Sequence, residues 1–402
     1  MSLIRQKKSH QLLCLSLLLC AIGFSISPIY ADGGAPQLAY VAGTTRGVSI
    51  IDIAQRRVTG TITVAGHPQT VLLSLDGSTL YVSQPALGQV VAINARSGKT
   101  LCVAHLPGQP SLLAFSLDGT VLYAAGQGDS NVRALNPTTC AVQRIFQTHE
   151  PVYGLAVTAS TAVNATPSTP EQLWITGSTM LTVFEVDGHL LGTVPIAGGP
   201  QYICIPGGFT AYVTTRQGTV VAVDLNTRHI IGTLLSGGQF GPMDYNAITG
   251  EVYVPDRLHN QLDVLVPVTA GTGALPKEPV RTLHMSSSPQ SIAITSDGLW
   301  GFVALANGQV LMLDLPGRKD VASITVGGVP QFIITGLYPP AVSATPAPQK
   351  TATLPASMPP VGTLLLIIAI ILATLLAALS WFLWRRYQMW LTGQRSPRKP
   401  LK

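Results

Sequence analysis

Residues 68–105, Pro-Gln-Thr-Val-Leu-Leu-Ser-Leu-Asp-Gly-Ser-Thr-Leu-Tyr-Val-Ser-Gln-Pro-Ala-Leu-Gly-Gln-Val-Val-Ala-Ile-Asn-Ala-Arg-Ser-Gly-Lys-Thr-Leu-Cys-Val-Ala-His, contain four short apolar runs separated by turn residues. The runs are Thr70 to Ser74, Leu80 to Ser83, Val90 to Ile93 and Thr100 to His105. Each is rich in β-branched, aliphatic or aromatic residues and too short for a helix, so each reads as a strand. Asp76-Gly77 predicts the first hairpin, because Gly accepts a positive φ and the Asp carboxylate bonds the local backbone. Gly88 and Ser97-Gly98 mark the other two turns.

The pattern repeats along the chain. An aromatic residue, usually followed by Val, recurs at Tyr40, Tyr81, Tyr123, Trp174, Tyr212, Tyr253 and Phe302. A proline recurs independently at Pro68, Pro110, Pro151, Pro200, Pro242, Pro289 and Pro330. Two markers thus count seven units with a period near 42 residues. A unit of four strands at that period predicts an all-β, seven-bladed β-propeller, whereas helical repeats need long stretches of 3.6-residue periodicity. Leu38-Ala39-Tyr40-Val41 is a second strand without a first, and Pro330-Gln331-Phe332-Ile333-Ile334 is a first strand without a second. The expectation is that the two ends pair to complete the seventh blade, covering two edges that would invite aggregation. Segments 158–172 and 267–280 are longer than their counterparts and read as tolerated insertions.

The Tyr-Val pairs, the Gly-x-Pro starts (66–68, 108–110, 198–200) and a strand-ending acid or amide (Asp52, Asn94, Asn136, Asp187, Asp224, Asp314) resemble the YVTN family of seven-bladed propellers. The repeat around Val266-Pro267 lacks the last feature. The resemblance covers about residues 38–338 and implies the fold. Function it leaves open, because such propellers host unrelated activities.

The flanking segments read as addresses. Residues 1–31 have a basic start, an apolar run from Leu12 to Ile26 and a cleavage position after Ala31, as in a secretory signal peptide; an uncleaved anchor is the alternative. Residues 339–360 carry seven prolines and one charge, Lys350, and read as a semi-rigid stalk. Val361 to Trp384 is uncharged over 24 residues, about 36 Å as a helix, enough to span a bilayer. Trp381 and Trp384, then Arg385-Arg386, supply an aromatic belt and a cytoplasmic basic flank for a transmembrane helix. The tail 385–402 has six cations and no acid, so the propeller (32–338) is expected outside a cell membrane and the tail in the cytoplasm. Met358-Pro359-Pro360-Val361-Gly362 departs from a sortase sorting motif at two positions and leaves wall attachment as an alternative.

The net charge of +6 resides in the ends. Residues 9–384 hold 15 Lys and Arg against 18 Asp and Glu, a net −3, and such a body lacks the positive field that nucleic acid requires. No zinc, haem or phosphate-loop motif is present, so neither cofactor nor metal is expected. The residues after the seven prolines, Gln69, Ser111, Val152, Gln201, Met243, Gln290 and Gln331, are expected to enter the central channel. Loops on the same face carry Arg46, Asp129, Arg216, Arg257 and His259, with His67 and His149-Glu150 beside the prolines. Gln69, Gln201, Gln290, Gln331, Arg46, Arg216 and His67 are the candidate ligand-binding residues. A binding module for a protein or cell-wall polymer fits this set. A propeller enzyme of lactonase or oxidoreductase type, resting on Arg46, His67, Glu150 and Arg216, is the rival, and a structural envelope protein a third reading. Cys102 and Cys140 fall in neighbouring units but four positions out of register relative to Asn94 and Asn136, which leaves their disulfide open.

Overall fold

Seven four-stranded antiparallel sheets follow one another around a ring in a computed structural model that describes residues 38–159, 171–271, 274–336 and 379–386. Residues 1–37, most of segment 158–172, the whole stalk 339–360, the apolar run up to residue 378 and tail residues 387–402 lie outside the described residues. Blade 1 consists of Val71–Leu73, Thr79–Gln84, Gln89–Asn94 and Thr100–His105. Blades 2 to 6 occupy 112–147, 154–195, 200–236, 244–284 and 289–325. Blade 7 takes Phe332–Gly336 as its innermost strand and Leu38–Thr44, Gly47–Asp52 and Arg57–Thr63 as the other three. The pairs run from Leu38–Gly336 to Ala42–Phe332, so the expected closure is present. Of the C-terminal apolar run, the described part is a helix over 379–386, and among the described residues no helix is long and apolar enough to cross a membrane.

The recurring residues have separable physical jobs. The aromatic of each second strand is a core anchor: Tyr40, Tyr123, Trp174, Tyr212, Tyr253 and Phe302 are among the largest fully buried side chains. Small residues often face them across the sheet, as Ala92 faces Tyr81 and Ala222 faces Tyr212. The hydrophobic core is divided into seven clusters, one at each blade–blade interface, including one where blade 7 meets blade 1 and one where it meets blade 6. The strand-ending acids and amides build turns. Asn94 Oδ1 accepts from Ser97 N at 2.8 Å, Asp224 Oδ1 from Thr227 N at 2.7 Å, and Asp314 Oδ1 from Gly317 N at 2.8 Å. These side chains replace backbone partners in the third-to-fourth hairpins and are held there for folding.

Segment 267–280 braces a blade interface. Val268 is buried, its N–H donates to Tyr212 Oη at 2.8 Å, and its carbonyl accepts from Thr210 Oγ1 at 2.5 Å. Blade 5 is the irregular member: its innermost strand is only Asp244–Tyr245. Asp244 Oδ2 accepts from Ile294 N of blade 6 at 2.7 Å, and Oδ1 accepts from Tyr245 N. Burial pushes this carboxyl up to about 6 despite both bonds. The unfolded carboxyl titrates near ~3.9, so folding favours the protonated form. The stabilisation is complete below that value and is lost as pH rises through about 6. Asp244→Asn is therefore expected to gain stability relative to wild type by roughly 1–3 kcal/mol between pH 4 and 7.5. Parallel urea titrations at the two pH values check this; a pH-independent difference would show that the carboxyl does not titrate in this range.

Candidate functional site

Second-to-third loops and fourth-to-first links share one face, and there the channel opens into a cavity of about 280 Å³. Gln69, Thr70, Ser111, Met243 and Gln331 line it, as do the apolar side chains Leu112, Leu113, Leu155, Ile203 and Phe332. The channel is thus more apolar than a ring of amides. Of the residues following the prolines, Gln69, Ser111, Met243 and Gln331 converge on the cavity. Gln201 and Gln290 are half-buried in the first strands of blades 4 and 6 and are not among its lining residues. Gln290 Nε2 donates to Ser288 O at 3.2 Å, and Gln201 O accepts the hydroxyl of Thr176. Val152 is fully buried in the interface between blades 2 and 3.

The main addition is Arg257, a cation in the cavity wall. It leads the second-to-third loop of blade 5 and reaches inward across the mouth. Its guanidinium lies 5.8 Å from the ring centroid of Tyr202, and Nη2 donates to Gln290 O at 2.9 Å. Nε is buried and has no hydrogen-bond partner. Arg216 repeats this placement one blade earlier. It stacks 4.9 Å from the centroid of Tyr153, and it donates to Ser178 O at 2.7 Å and to Tyr153 Oη at 3.3 Å. Each arginine crosses over the glycine that precedes a channel proline. A Cβ on Gly199 would sit 2.7 Å from Arg216 Nε, and one on Gly241 would sit 3.3 Å from Arg257 Nε. The Gly-Pro links at 199–200 and 241–242 therefore leave room for the inward reach of a cation. Tyr153 and Tyr202, each two residues after its proline, were not singled out in the sequence; an aromatic at that position is the signal.

Other rim groups are engaged locally. His67 is exposed at φ 52°, paired with Gly66 at φ 70° in the left-handed link into blade 1. Arg46 is exposed on the blade 7 loop and is not one of the lining residues. Glu150 accepts from Thr179 N at 2.9 Å and from the Thr179 hydroxyl. Partial burial pushes its carboxyl up, but these bonds outweigh burial and hold it below the ordinary range. His259 Nδ1 lies 2.6 Å from Asp256 Oδ2 on the blade 5 loop, and that bond raises the imidazole pKa. Arg46, His67, Glu150 and Arg216 thus occupy four different links and loops of the mouth and do not form one cluster. Among the described residues, no three His, Cys, Asp or Glu side chains are grouped to hold a metal.

No family model matches this chain, and no curated protein matches it in sequence. Solved structures do share its shape. The periplasmic gluconolactonase PpgL of Pseudomonas aeruginosa is 18% identical with a TM-score of 0.60, covering 74% of this chain and 98% of its own. A putative 6-phosphogluconolactonase from Bacteroides uniformis gives 16% and 0.60, covering 74% and 99%. Apo AztD from Citrobacter koseri gives 12% and 0.56, covering 75% and 99%. Such identities carry the fold and no more: the chain is a seven-bladed β-propeller similar in architecture to these proteins.

Proposed function

We propose that this protein is a YVTN-type propeller displayed outside the cell on a C-terminal membrane anchor, and that it binds a polar, anionic group at the channel mouth. The observation that carries the binding reading is Arg257, whose buried Nε lacks a partner in the wall of a concave cavity. A buried donor left unsatisfied costs roughly 1–3 kcal/mol, and a ligand oxygen would remove that cost. Arg offers a planar fork suited to carboxylate or phosphate, while Gln69, Gln331 and Ser111 add neutral hydrogen-bonding groups and Tyr202 a stacking surface. An acidic saccharide unit of a wall polymer has this chemistry. The anchor reading is supported by the helix over 379–386, where Leu379, Trp381, Phe382, Leu383 and Trp384 are all more than half exposed. Five of the six residues before Arg385 are large and apolar, and such a run suits lipid rather than water. Arg385 lies 5.3 Å from the Trp381 ring centroid, at the end where the uncharged run meets the basic tail.

The purified chain screened against acidic wall fragments and neutral counterparts is expected to show saturable binding to the acidic set only. Arg257→Ala and Gly241→Ala are each expected to weaken it at least ~10-fold, the loss of one charged hydrogen bond. Equal affinity for neutral and acidic fragments would remove the assignment to Arg257. Turnover of lactones by the same preparation, abolished by substitutions at the mouth, would replace binding with catalysis.

A further inference from the structure

We propose that the face opposite the mouth lies against the lipid surface, held there by a ring of apolar hairpin tips. Every described first-to-second hairpin carries one: Leu75, Leu117, Phe209, Ile248 and Leu299, at 65%, 52%, 52%, 72% and 47% exposure. Isolated exposed apolar side chains are ordinary on proteins, but one per blade at the same hairpin of five blades is a patterned surface. Turn formation does not call for them. In blades 1, 2 and 6 the hairpin is made by Asp76, Asp118 and Asp297, which accept from the backbone two residues on, together with Gly77, Gly119 and Gly298 at φ near 70°. The tips follow each other around the ring: a Cβ on Gly119 of blade 2 would lie 2.9 Å from Leu75 Cδ1 of blade 1. Between blades 5 and 6 the same face opens a groove of about 250 Å³, with Ile248, Leu299, Leu315 and Pro316 in its walls and Arg281 and Arg318 beside them. Arg281 is paired with Glu251 at 2.9 Å, whereas the turn residue Arg318 is exposed where a phosphate headgroup would sit.

The place where the chain leaves the ring selects lipid as the occupant. The last described strand of the propeller ends at Gly336, where a Cβ would lie 2.4 Å from Leu73 Cδ2 at the foot of the Leu75 hairpin. Leu38, the first described residue, pairs with Gly336, so both lie on the face of the apolar tips, and 24 residues separate Gly336 from the uncharged run that starts at Val361. The chain leaves the ring on this face on its way to that run, so this is the face it brings toward the bilayer. The inference rests on the membrane-anchor reading above and adds to it an orientation: mouth outward, tips down.

The test is depth-dependent quenching in full-length protein reconstituted into phosphatidylcholine–phosphatidylglycerol nanodiscs. A fluorescent amino acid is placed at position 75 or 248, or at position 46 on the mouth face, and brominated lipid is the quencher. Several-fold stronger quenching at 75 and 248 than at 46 is expected, and it should fall to the level of position 46 when the other tips are changed together (Leu117→Ser, Phe209→Ser, Leu299→Ser). The same triple variant must keep its melting temperature and remain in the disc. Equal, weak quenching on both faces of disc-incorporated protein overturns the docking and leaves the anchor standing. Two chains per disc with the tips unquenched assigns the face to a second copy and also overturns it. Failure to incorporate, read by flotation before any quenching, overturns the anchor and the docking with it.

Discussion

Deletion of residues 330–338 is expected to abolish the folded ring, not merely to fray one end. The segment supplies the innermost strand of blade 7, and its backbone pairs run from Ala42–Phe332 to Leu38–Gly336. Two further hydrogen bonds, from Gln331 N to Ala42 O at 3.0 Å and from the Thr335 hydroxyl to Ile294 O at 3.1 Å, tie it to the rest of blade 7 and to blade 6. Ile333 is buried in the interface between blades 6 and 7, while Phe332 and Ile334 pack against the one between blades 7 and 1. Each buried side chain of this size contributes roughly 1.5–3 kcal/mol, and each backbone bond about 1 kcal/mol. Their sum is comparable to the whole stability of a domain, about 5–15 kcal/mol. Truncated chain is therefore expected in the insoluble fraction, or as an expanded species without a cooperative melt. A soluble, compact truncation that melts at the wild-type temperature would refute closure by this strand.

Reduction of Cys102–Cys140 is expected to have the next largest effect. The bridge joins the outer strand of blade 1 to the turn before the outer strand of blade 2, with a Cα–Cα distance of 5.8 Å. It closes a loop of 38 residues, which by chain entropy corresponds to about 4 kcal/mol, with measured values commonly 2–5. Cys102→Ser with Cys140→Ser should lower the denaturation midpoint clearly. Dithiothreitol should do the same to wild type and nothing further to the double variant. The third described cysteine, Cys204, is free and buried, and burial raises its thiol pKa, so it is not a competing partner in the native state. Equal midpoints for oxidised wild type and the double variant would mean that the bridge does not constrain the unfolded chain.

Blade number and turn chemistry were legible because each is stated seven times or nearly so: an aromatic, a proline and an Asx residue per repeat average out local irregularity. Closure was legible from the two incomplete units at 38–41 and 330–334, which leave one strand on each side to pair. The disulfide was obscured by register counting. Cys140 is not in a strand at all but in a left-handed turn position at φ 59°, two residues before the outer strand starts at Val142, and this displacement brings it against Cys102. The cavity was half legible. Gln201 and Gln290, which do not line it, sit where the first-to-second pairing is irregular, between Pro200 and Ile203 and between Pro289 and Ser291, whereas Gln69 and Gln331 lie ahead of regularly paired strands. Arg257 could be placed on the mouth loops but not over the channel, because its inward reach depends on Gly241 and Tyr202 in other links and strands.

Closure by the last strand also decides how the ring bears tension. A load applied between the mouth face and Gly336 acts along the axis of Phe332–Gly336, which runs from the mouth face to the opposite one. Its pairs with Leu38–Ala42 are then sheared simultaneously instead of being unzipped in sequence. The strand that completes the wheel is thus also the one oriented to resist pulling.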